Sequence, residues 1–399
     1  MSESDSTHAS ASLDIVANAR MPSQRAQSLQ VAQTAAAFAR VGIDVTLWYA
    51  QRRDTPALPL GIDLWSYYGV GAGARPEAQA VPCLDWIDVV PRRLQFLPAR
   101  MQELSFASGA ANRIQRAGPE RWTLSRELET ASSLARKGRA NVFLELHRMP
   151  GGRLRRYWLM RALERLSGII AISGGVREDL LAFGARPDQV LVAHDGFEVN
   201  RFASLPTRSA ARELLDLPQD RPLVVYTGGL LEWKGVDLLV AAARSLPEVQ
   251  FAIAGGMDAD VAMLRSLASG LGNVRIDGFQ APERVALYLA AGDLGVVPNR
   301  SQPAISSRYT SPLKVFEAMA VGLPLVVSDL PSMRDILSDE EAVFVAPDNA
   351  DSLARGISEL LANEVGRAER ARLMRERAPR HSWDARAKLI LDWMGERAR

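Results

Sequence analysis

A glutamate and two scarce lysines mark the part of this chain best equipped for chemistry. Glu317 sits in "RYTSPLKVFEAMAVGLPLVVSD", in a stretch otherwise apolar enough to be buried, and a carboxylate there requires a pocket or a specific partner. Ser311 is the expected N-cap, Pro312 the expected first helical residue, and Gly322 with Pro324 the stop. The spacing therefore predicts a helix over 313–321 with Leu313, Phe316 and Ala320 on its packed face. Amides at the start of such a helix favour an anion, to which Lys314 adds charge, although Pro312 contributes no donor. Glu317, one turn in, would reach hydroxyls beside that anion, and a ribose meets the description. Lys234 follows "TGGLLEW" near the expected start of another helix, where a cation is unfavourable unless it faces an anion. A solvated lysine is the plain alternative.

These groups need strand ends to hold them. "LDIVANA", a helix over "QRAQSLQVAQTAAAFARVG" and "IDVTLWYA" read as strand, helix, strand, the order of a right-handed parallel crossover. From Gly61 to about Gly118 the Pro-, Gly- and Arg-rich chain predicts only weak helices. Regularity returns with "RANVFLELH", ending at His147, and with "GIIAIS". Beyond a connector the pattern restarts: "PLVVYTGG", "VQFAIAGG", "VRIDGF", "LGVVPN", "LPLVVSD" and "AVFVAP" are strand-like and separated by helical stretches. Gly228 and Gly229, Gly255 and Gly256, and Gly278 end three of these runs, where a parallel sheet binds ligands and glycine lets them approach the backbone. The expected layout is α/β, with a disordered tail over 1–12, a Rossmann-like domain over 13–202 completed by a helix at 381–399, and a second Rossmann-like domain over 203–380. A cleft between the two is the expected ligand site.

The totals exclude several classes. Of 48 basic residues only Lys137, Lys234, Lys314 and Lys388 are lysines, and the net charge of +2 gives no field suited to nucleic acid. One cysteine, Cys83, and four scattered histidines assemble neither a disulfide framework nor a zinc site. No leader pattern opens the chain and no run of about 18 apolar residues occurs, so a cytoplasmic location is expected. "GVGAGA" at 69–74 is not set tightly between a strand and a helix and reads as a flexible loop. "DAD" at 258–260 reads as helix-start acids rather than a metal motif.

The segments "YTGGLLEWKGVDLL", "SPLKVFEAMAVGLPLVVSD" and "VLVAHDGFEVNRF" resemble glycosyltransferase family 4, retaining nucleotide-sugar enzymes of the GT-B fold. "ARMPSQRAQSLQVAQTAAAFARVGIDVTLWY" looks like that family's first loop and helix, "FLELH" its histidine segment, and "HSWDARAKLILDWM" its terminal helix crossing back onto the first domain. The resemblance implies two Rossmann-like domains with parallel sheets facing a central cleft. It implies that Glu317 binds the nucleotide ribose, that Lys234 neutralises the diphosphate and that His147 lies near the donor sugar. Backbone at Gly278 and Phe279 would face the base, and amides at Leu313 and Lys314 the distal phosphate. Two positions depart from the family: Tyr309 stands where its first glutamate belongs and Gly229 where its arginine belongs. Phosphate charge then rests on Lys234, the helix start and Arg308, with Gly228, Thr310 and Ser311 in the binding turns.

The implied reaction transfers a hexose from a nucleotide sugar, a substrate rather than a cofactor, to a glycan or lipid-linked acceptor hydroxyl, with retention and without metal, in cell-surface polysaccharide biosynthesis. No carboxylate nucleophile is evident. "PRRLQFLPARMQELSF" and "GRLRRYWLMRALERLSG" interleave arginine with apolar side chains, a pattern suited to peripheral contact with an anionic membrane at its inner face. A sugar-nucleotide epimerase and a non-catalytic sugar-nucleotide-binding relative are the alternatives.

Overall fold

The structure, a computed structural model, describes residues 12–23 and 25–398. The tail expected over 1–12 lies outside the described residues as far as residue 11, whereas Ser12 already opens the first strand. The chain divides into two compact units. The first comprises the described residues up to Ile172, Val176–His194 and the terminal segment from Trp383. The second comprises Ser173–Gly175 and Asp195–Ser382. Residues 195–202, expected with the first domain, belong to the second unit because Phe197 is buried in its core.

Among the described residues, seven parallel strands build the first unit: β1 (Ser12–Arg20), β2 (Asp44–Gln51), β3 (Glu77–Pro82), β4 (Trp122–Ser125), β5 (Val142–Leu146), β6 (Gly168–Ala171) and β7 (Val190–Val192). Their order is β3-β2-β1-β4-β5-β6-β7. β3 and β4 carry no continuous apolar run, and the sequence reading placed no strand at either. The region expected to hold only weak helices contains a helix of 21 residues, Phe96–Arg116. Its buried face is largely small, Ala107, Ala110 and Ala111 beside Phe106 and Ile114, so its apolar periodicity is faint. Gly109 lets this helix approach β3, since a Cβ there would stand 3.1 Å from Val81 Cγ1. "GVGAGA" ends in a short 3₁₀ turn, Ala72–Ala74.

The terminal helix Trp383–Gly395 packs on the first unit. Asp384 pairs with Arg40 at 2.6 Å, Trp393 lies 5.9 Å from Phe143 between ring centroids, and a Cβ at Gly168 would fall on the Trp393 ring. Within β1, Asp14 is fully buried and accepts from Trp48 Nε1 at 3.0 Å, Arg121 Nε at 3.2 Å and Arg139 Nη2 at 3.3 Å. Burial pushes the Asp14 carboxyl up, and the two guanidinium groups and the indole oppose that shift.

The second unit has six parallel strands: β8 (Leu223–Thr227), β9 (Gln250–Ala254), β10 (Val274–Asp277), β11 (Leu294–Val297), β12 (Leu325–Ser328) and β13 (Ala342–Val345). They are ordered β10-β9-β8-β11-β12-β13. Alternation along β8 feeds two apolar layers, Leu223 and Val225 on one face and Val224 and Tyr226 on the other. The chain winds outward from β8 in both directions, so strand order reverses between β8 and β11. The crevice at the carboxyl end of β8 is therefore the topological switch point where open parallel sheets bind ligands.

Asp14→Ala is expected to cost about 3 kcal/mol or more, because it leaves the buried Arg139 guanidinium without its carboxylate. Urea unfolding measures this, and a variant as stable as the parent would show that the network contributes nothing net.

Candidate functional site

At the switch point β8 ends in Gly228 and Gly229. Gly228 is left-handed at φ +123°, its N–H donates to Ala254 O at 2.9 Å, and it abuts Gly255, φ +125°, whose added Cβ would fall on Gly228 O. Two glycines are required because two strand ends close on each other with positive φ. Tyr226, buried in β8, donates from its hydroxyl to Gly229 O at 2.7 Å and so pins the turn from below.

Both lysines reach this turn. A Cβ at Gly228 would stand 3.4 Å from Lys314 Nζ, and one at Gly229 would stand 3.8 Å from Lys234 Nζ. Lys234 closes the 3₁₀ turn Glu232–Lys234, ahead of Gly235 and the helix Val236–Arg244. Gly235 is left-handed, with no room for a side chain against Pro298 O. Lys314 lies in the first turn of the helix Leu313–Val321, whose span matches the expectation. Its Nζ stands 3.5 Å from the centre of the Tyr226 ring, is buried, and has no hydrogen-bond partner among the described residues. Burial first, and Lys234 second, hold the Lys314 ammonium well below its ordinary range, with Glu317 opposing them. Burial alone lowers Lys234. Two ammonium groups thus converge on one glycine turn, and one of them has lost its water without gaining an acceptor.

Glu317 lies on the same helix with its side chain 16% exposed and Oε1 3.9 Å from Arg201 Nη1. Burial raises its carboxyl, against the pull of Arg201 and then Lys314. The helix ends at left-handed Gly322, as expected. Its start differs from expectation. Pro312 occupies the N-cap position rather than the first helical one, and the Ser311 hydroxyl accepts from Asp195 N at 2.8 Å instead of capping the helix. Extended Pro312 leaves Leu313 first, so the Leu313 and Lys314 amides precede the first backbone bond, from Val315 N to Pro312 O.

Gly278 joins the cluster through Gly255, whose N–H donates to Gly278 O at 3.0 Å, and Phe279 beside it is 51% exposed. Arg308 directs its carbonyl to the Ser173 hydroxyl at 2.9 Å, its guanidinium lies 5.9 Å from the Tyr309 ring centre, and Tyr309 and Thr310 are half-buried in the turn before Ser311. Asp258 and Asp260 fall in the first turn of the helix Asp258–Leu267.

His147 lies in the first unit, just after β5. Its Nε2 is 2.7 Å from Glu145 Oε1 and 2.7 Å from Arg126 Nη2. Glu145 is 3% exposed, and its other oxygen accepts from Arg386 Nη2 at 2.8 Å. Burial, followed by Arg126, lowers the imidazole to about 4 despite the neighbouring carboxylate, so the ring is neutral at neutral pH. Next to Arg126, the Glu127 carboxyl accepts from Asn18 N at 2.9 Å and is pushed up to about 7, chiefly by burial. Tyr226, Arg201, Arg126, Glu127, Glu145 and Arg386 were all missed in the sequence reading. Glu145 alone carried a usable signal, a carboxylate within an otherwise apolar strand.

Residues 221–363 match the family model described as Glycosyl transferases group 1, a span that holds every strand of the second sheet. The D-inositol 3-phosphate glycosyltransferase of Xylanimonas cellulosilytica is 30% identical over 238 residues, 56% of this chain and 55% of that protein. The putative teichuronic acid biosynthesis glycosyltransferase TuaC of Bacillus subtilis is 27% identical over 210 residues, 52% of this chain and 50% of that protein. The chain spans about half the length of the curated relatives it matches. Among solved structures, sucrose-phosphate synthase from Thermosynechococcus elongatus aligns with a TM-score of 0.73 at 20% identity, covering 97% of this chain and 98% of that one. Anabaena HepE in complex with UDP aligns with a TM-score of 0.73 at 15% identity, covering 96% and 100%. The fold is GT-B, with two Rossmann-like units on parallel sheets.

Because Arg201 opposes the upward push on Glu317, Arg201→Ala is expected to raise the Glu317 titration midpoint further. Carboxyl ¹³C chemical shifts followed through pH measure it, and an unmoved midpoint would remove Arg201 from the site.

Proposed function

We propose that this chain is a retaining, metal-independent glycosyltransferase that moves a hexose from a nucleoside-diphosphate donor to a hydroxyl of a glycan or lipid-linked acceptor, in cell-surface polysaccharide biosynthesis. One observation carries this reading: the buried Lys314 ammonium, without an acceptor among the described residues, converging with Lys234 on the Gly228–Gly229 turn. A desolvated cation pair beside glycine backbone and free helix-start amides matches a diphosphate in charge and shape. The match of residues 221–363 to glycosyltransferases and the UDP held by HepE support the same ligand class.

In this reading the diphosphate lies on the glycine turn, Glu317 accepts the ribose hydroxyls, and backbone at Gly278 and Phe279 meets the base. Cleaving the bond from the anomeric carbon to the phosphate oxygen transfers its electron pair to the diphosphate. Lys234, Lys314 and the Leu313 and Lys314 amides stabilise that developing charge more than they stabilise the ground state. The acceptor oxygen bonds to the anomeric carbon on the face the phosphate leaves, giving its proton to the departing phosphate oxygen, and this same-face exchange accounts for retention without a carboxylate nucleophile. Lys314 also offsets the glycine at 229, because it brings a second cation to the turn from another element. The acceptor belongs to the first unit in this reading, with His147 as a sugar contact. There Phe96, Leu97 and Met101 on one helix and Leu154, Tyr157 and Met160 on the helix Arg153–Leu163 are exposed. Arg100 and Arg155 reach Glu129 from these two helices, at 3.5 and 2.8 Å, so both patches border one intervening helix. Exposed arginines 93, 153 and 156 accompany them, a composition suited to an anionic lipid surface. No helix of the described residues is long and apolar enough to cross a membrane.

Lys234→Ala and Glu317→Ala are each expected to lower turnover at least about 100-fold. Product analysis against a panel of nucleotide sugars checks this, and near-parental rates in folded variants would overturn the site. Product formed without any acceptor would instead indicate epimerisation, and binding without turnover a non-catalytic relative.

Donor affinity should fall on the acid side as Glu317 gains its proton, at a pH raised by burial, and on the alkaline side as Lys314 loses its own, at a pH lowered by burial. Lys314→Arg keeps its charge and is expected to extend the alkaline limb, as measured by KM against pH. An identical limb would place the titration elsewhere. Co-sedimentation with anionic vesicles at low salt should recover the protein in the pellet; full recovery in the supernatant would refute the lipid surface.

A further inference from the structure

His147 Nε2 has two claimants at 2.7 Å, the Glu145 carboxylate and the Arg126 guanidinium, and it can serve only one. Accepting from Arg126 would require an Nε2 lone pair, and that lone pair would then face Glu145 Oε1. Glu145 is anionic there: burial works against its charge, but Arg386, the His147 contact and Arg126 together hold its carboxyl well below the usual range. A lone pair aimed at a carboxylate 2.7 Å away is repelled, whereas an N–H aimed at it forms a charge-assisted hydrogen bond. Arg126 has other outlets: its Nε lies 3.4 Å from the same Glu145 oxygen, and its Nη2 lies 3.5 Å from His147 Nδ1, which bears the lone pair once Nε2 is protonated, so a substrate hydroxyl donating to Nδ1 shares that atom with Arg126. Nε2 therefore carries the hydrogen.

Glu145 is in turn not free to rotate. Its Oε2 accepts from Arg386 Nη2 at 2.8 Å, and Arg386, 5% exposed, donates from Nε to His194 O at 2.8 Å. The guanidinium spans a backbone carbonyl and a carboxylate in fixed geometry, which a lysine could not reproduce. The chain of contacts runs from the terminal helix through β5 to an imidazole whose side chain is 30% exposed.

We infer that Glu145 and Arg386 are positioning residues that hold His147 as the neutral imidazole with hydrogen on Nε2, leaving Nδ1 as the atom that accepts a hydrogen bond from a substrate hydroxyl. The tautomer follows from the geometry, while its use on a sugar rests on the transferase reading above. A second-sphere carboxylate that fixes ring orientation and tautomer is a device known from metal-bound histidines, and its loss there costs 10–100-fold. Here the same arrangement surrounds a ring that belongs to no cluster of three or more potential metal ligands among the described residues. The charged groups facing the imidazole are Arg126, Glu145 and Arg386, and they pull in opposite directions: the two arginines lower its midpoint and the carboxylate raises it.

The full chain, labelled with ¹⁵N at its four histidines, gives resolvable imidazole signals in long-range ¹H–¹⁵N correlation spectra, with His147→Gln supplying the assignment. Expected are a protonated Nε2, a bare Nδ1 and no titration of His147 between about pH 5 and 8, consistent with a midpoint near 4. Arg386→Met should raise that midpoint and Glu145→Gln lower it, with Glu145→Gln also admitting the Nδ1–H tautomer because its amide can donate. A purely structural role would destabilise both variants without these opposite shifts. Hydrogen on Nδ1 in the parent protein, or midpoints unmoved in both variants, would overturn the inference. If Arg386→Met fails to fold, Arg386→Lys is read in its place and should give a partial rise. In the transfer assay both substitutions should lower kcat about 10-fold with little change in donor KM. Parental kcat with altered tautomers would sink the catalytic use of the ring. Absence of any transfer by the parent would count against the transferase reading and leave the tautomer assignment standing.

Discussion

An ammonium nitrogen removed from water, with no hydrogen-bond acceptor among the described residues, is the constraint around which the second unit is arranged. Lys314 reaches that state because its helix starts directly after an extended proline, which sets the first turn against the end of β8. The face of Tyr226 offers a weak counter-field, and the same residue's hydroxyl fixes the carbonyl of Gly229. One side chain thus sets both the floor beneath the cation and the path of the backbone beside it. The glycines follow from the same constraint: strand ends that must turn with positive φ while touching one another leave no volume for Cβ atoms. Lys234 comes from the next turn along, so the charge on the two sides of the site is supplied by two independent elements.

The first unit shows the opposite treatment of charge. Glu145 is buried as deeply, yet two guanidinium groups and an imidazole surround it, and nothing is left for a ligand to satisfy. Asp14 is handled in the same way by Arg121, Arg139 and the Trp48 indole. Buried charges with complete partners hold elements together, and a buried charge with an incomplete set awaits one. This difference separates the scaffold of the protein from its proposed binding surface more sharply than burial alone does.

Much of this was legible in the sequence. The strands of the second unit are short apolar runs, three of them closed by glycine, and in parallel sheets covered on both faces that pattern has few other causes. The helix carrying Glu317 was bounded correctly because Pro312 and Gly322 punctuate it. Its cap was misread because Ser311 spends its hydroxyl on Asp195, a residue more than a hundred positions away that no local rule can anticipate. β3 and the helix Phe96–Arg116 were lost for a related reason: alanine and glycine make close packing possible but leave hardly any hydrophobic rhythm. Lys234, Lys314 and Glu317 stood out as charges where charge is costly. Arg201, Tyr226 and Arg386 did not, since an arginine in an arginine-rich chain and a tyrosine in a strand are unremarkable until their neighbours are known.

The terminal helix has a bearing on how the molecule is made. Trp393 fills the space over Gly168, and Arg386 ties Glu145 to the carbonyl of His194, so the first sheet receives its last layer from residues that follow the whole second unit in the chain. On a ribosome, the first half emerges and waits, with the flank around β5 and β6 uncovered and the Glu145 carboxylate short of a cation, until translation is nearly over. Residues after 382 belong to the first unit, so the second unit's own sequence is complete before they are synthesised. The half synthesised first is the half finished last, and that interval is when nascent chains are most open to capture by chaperones or by one another.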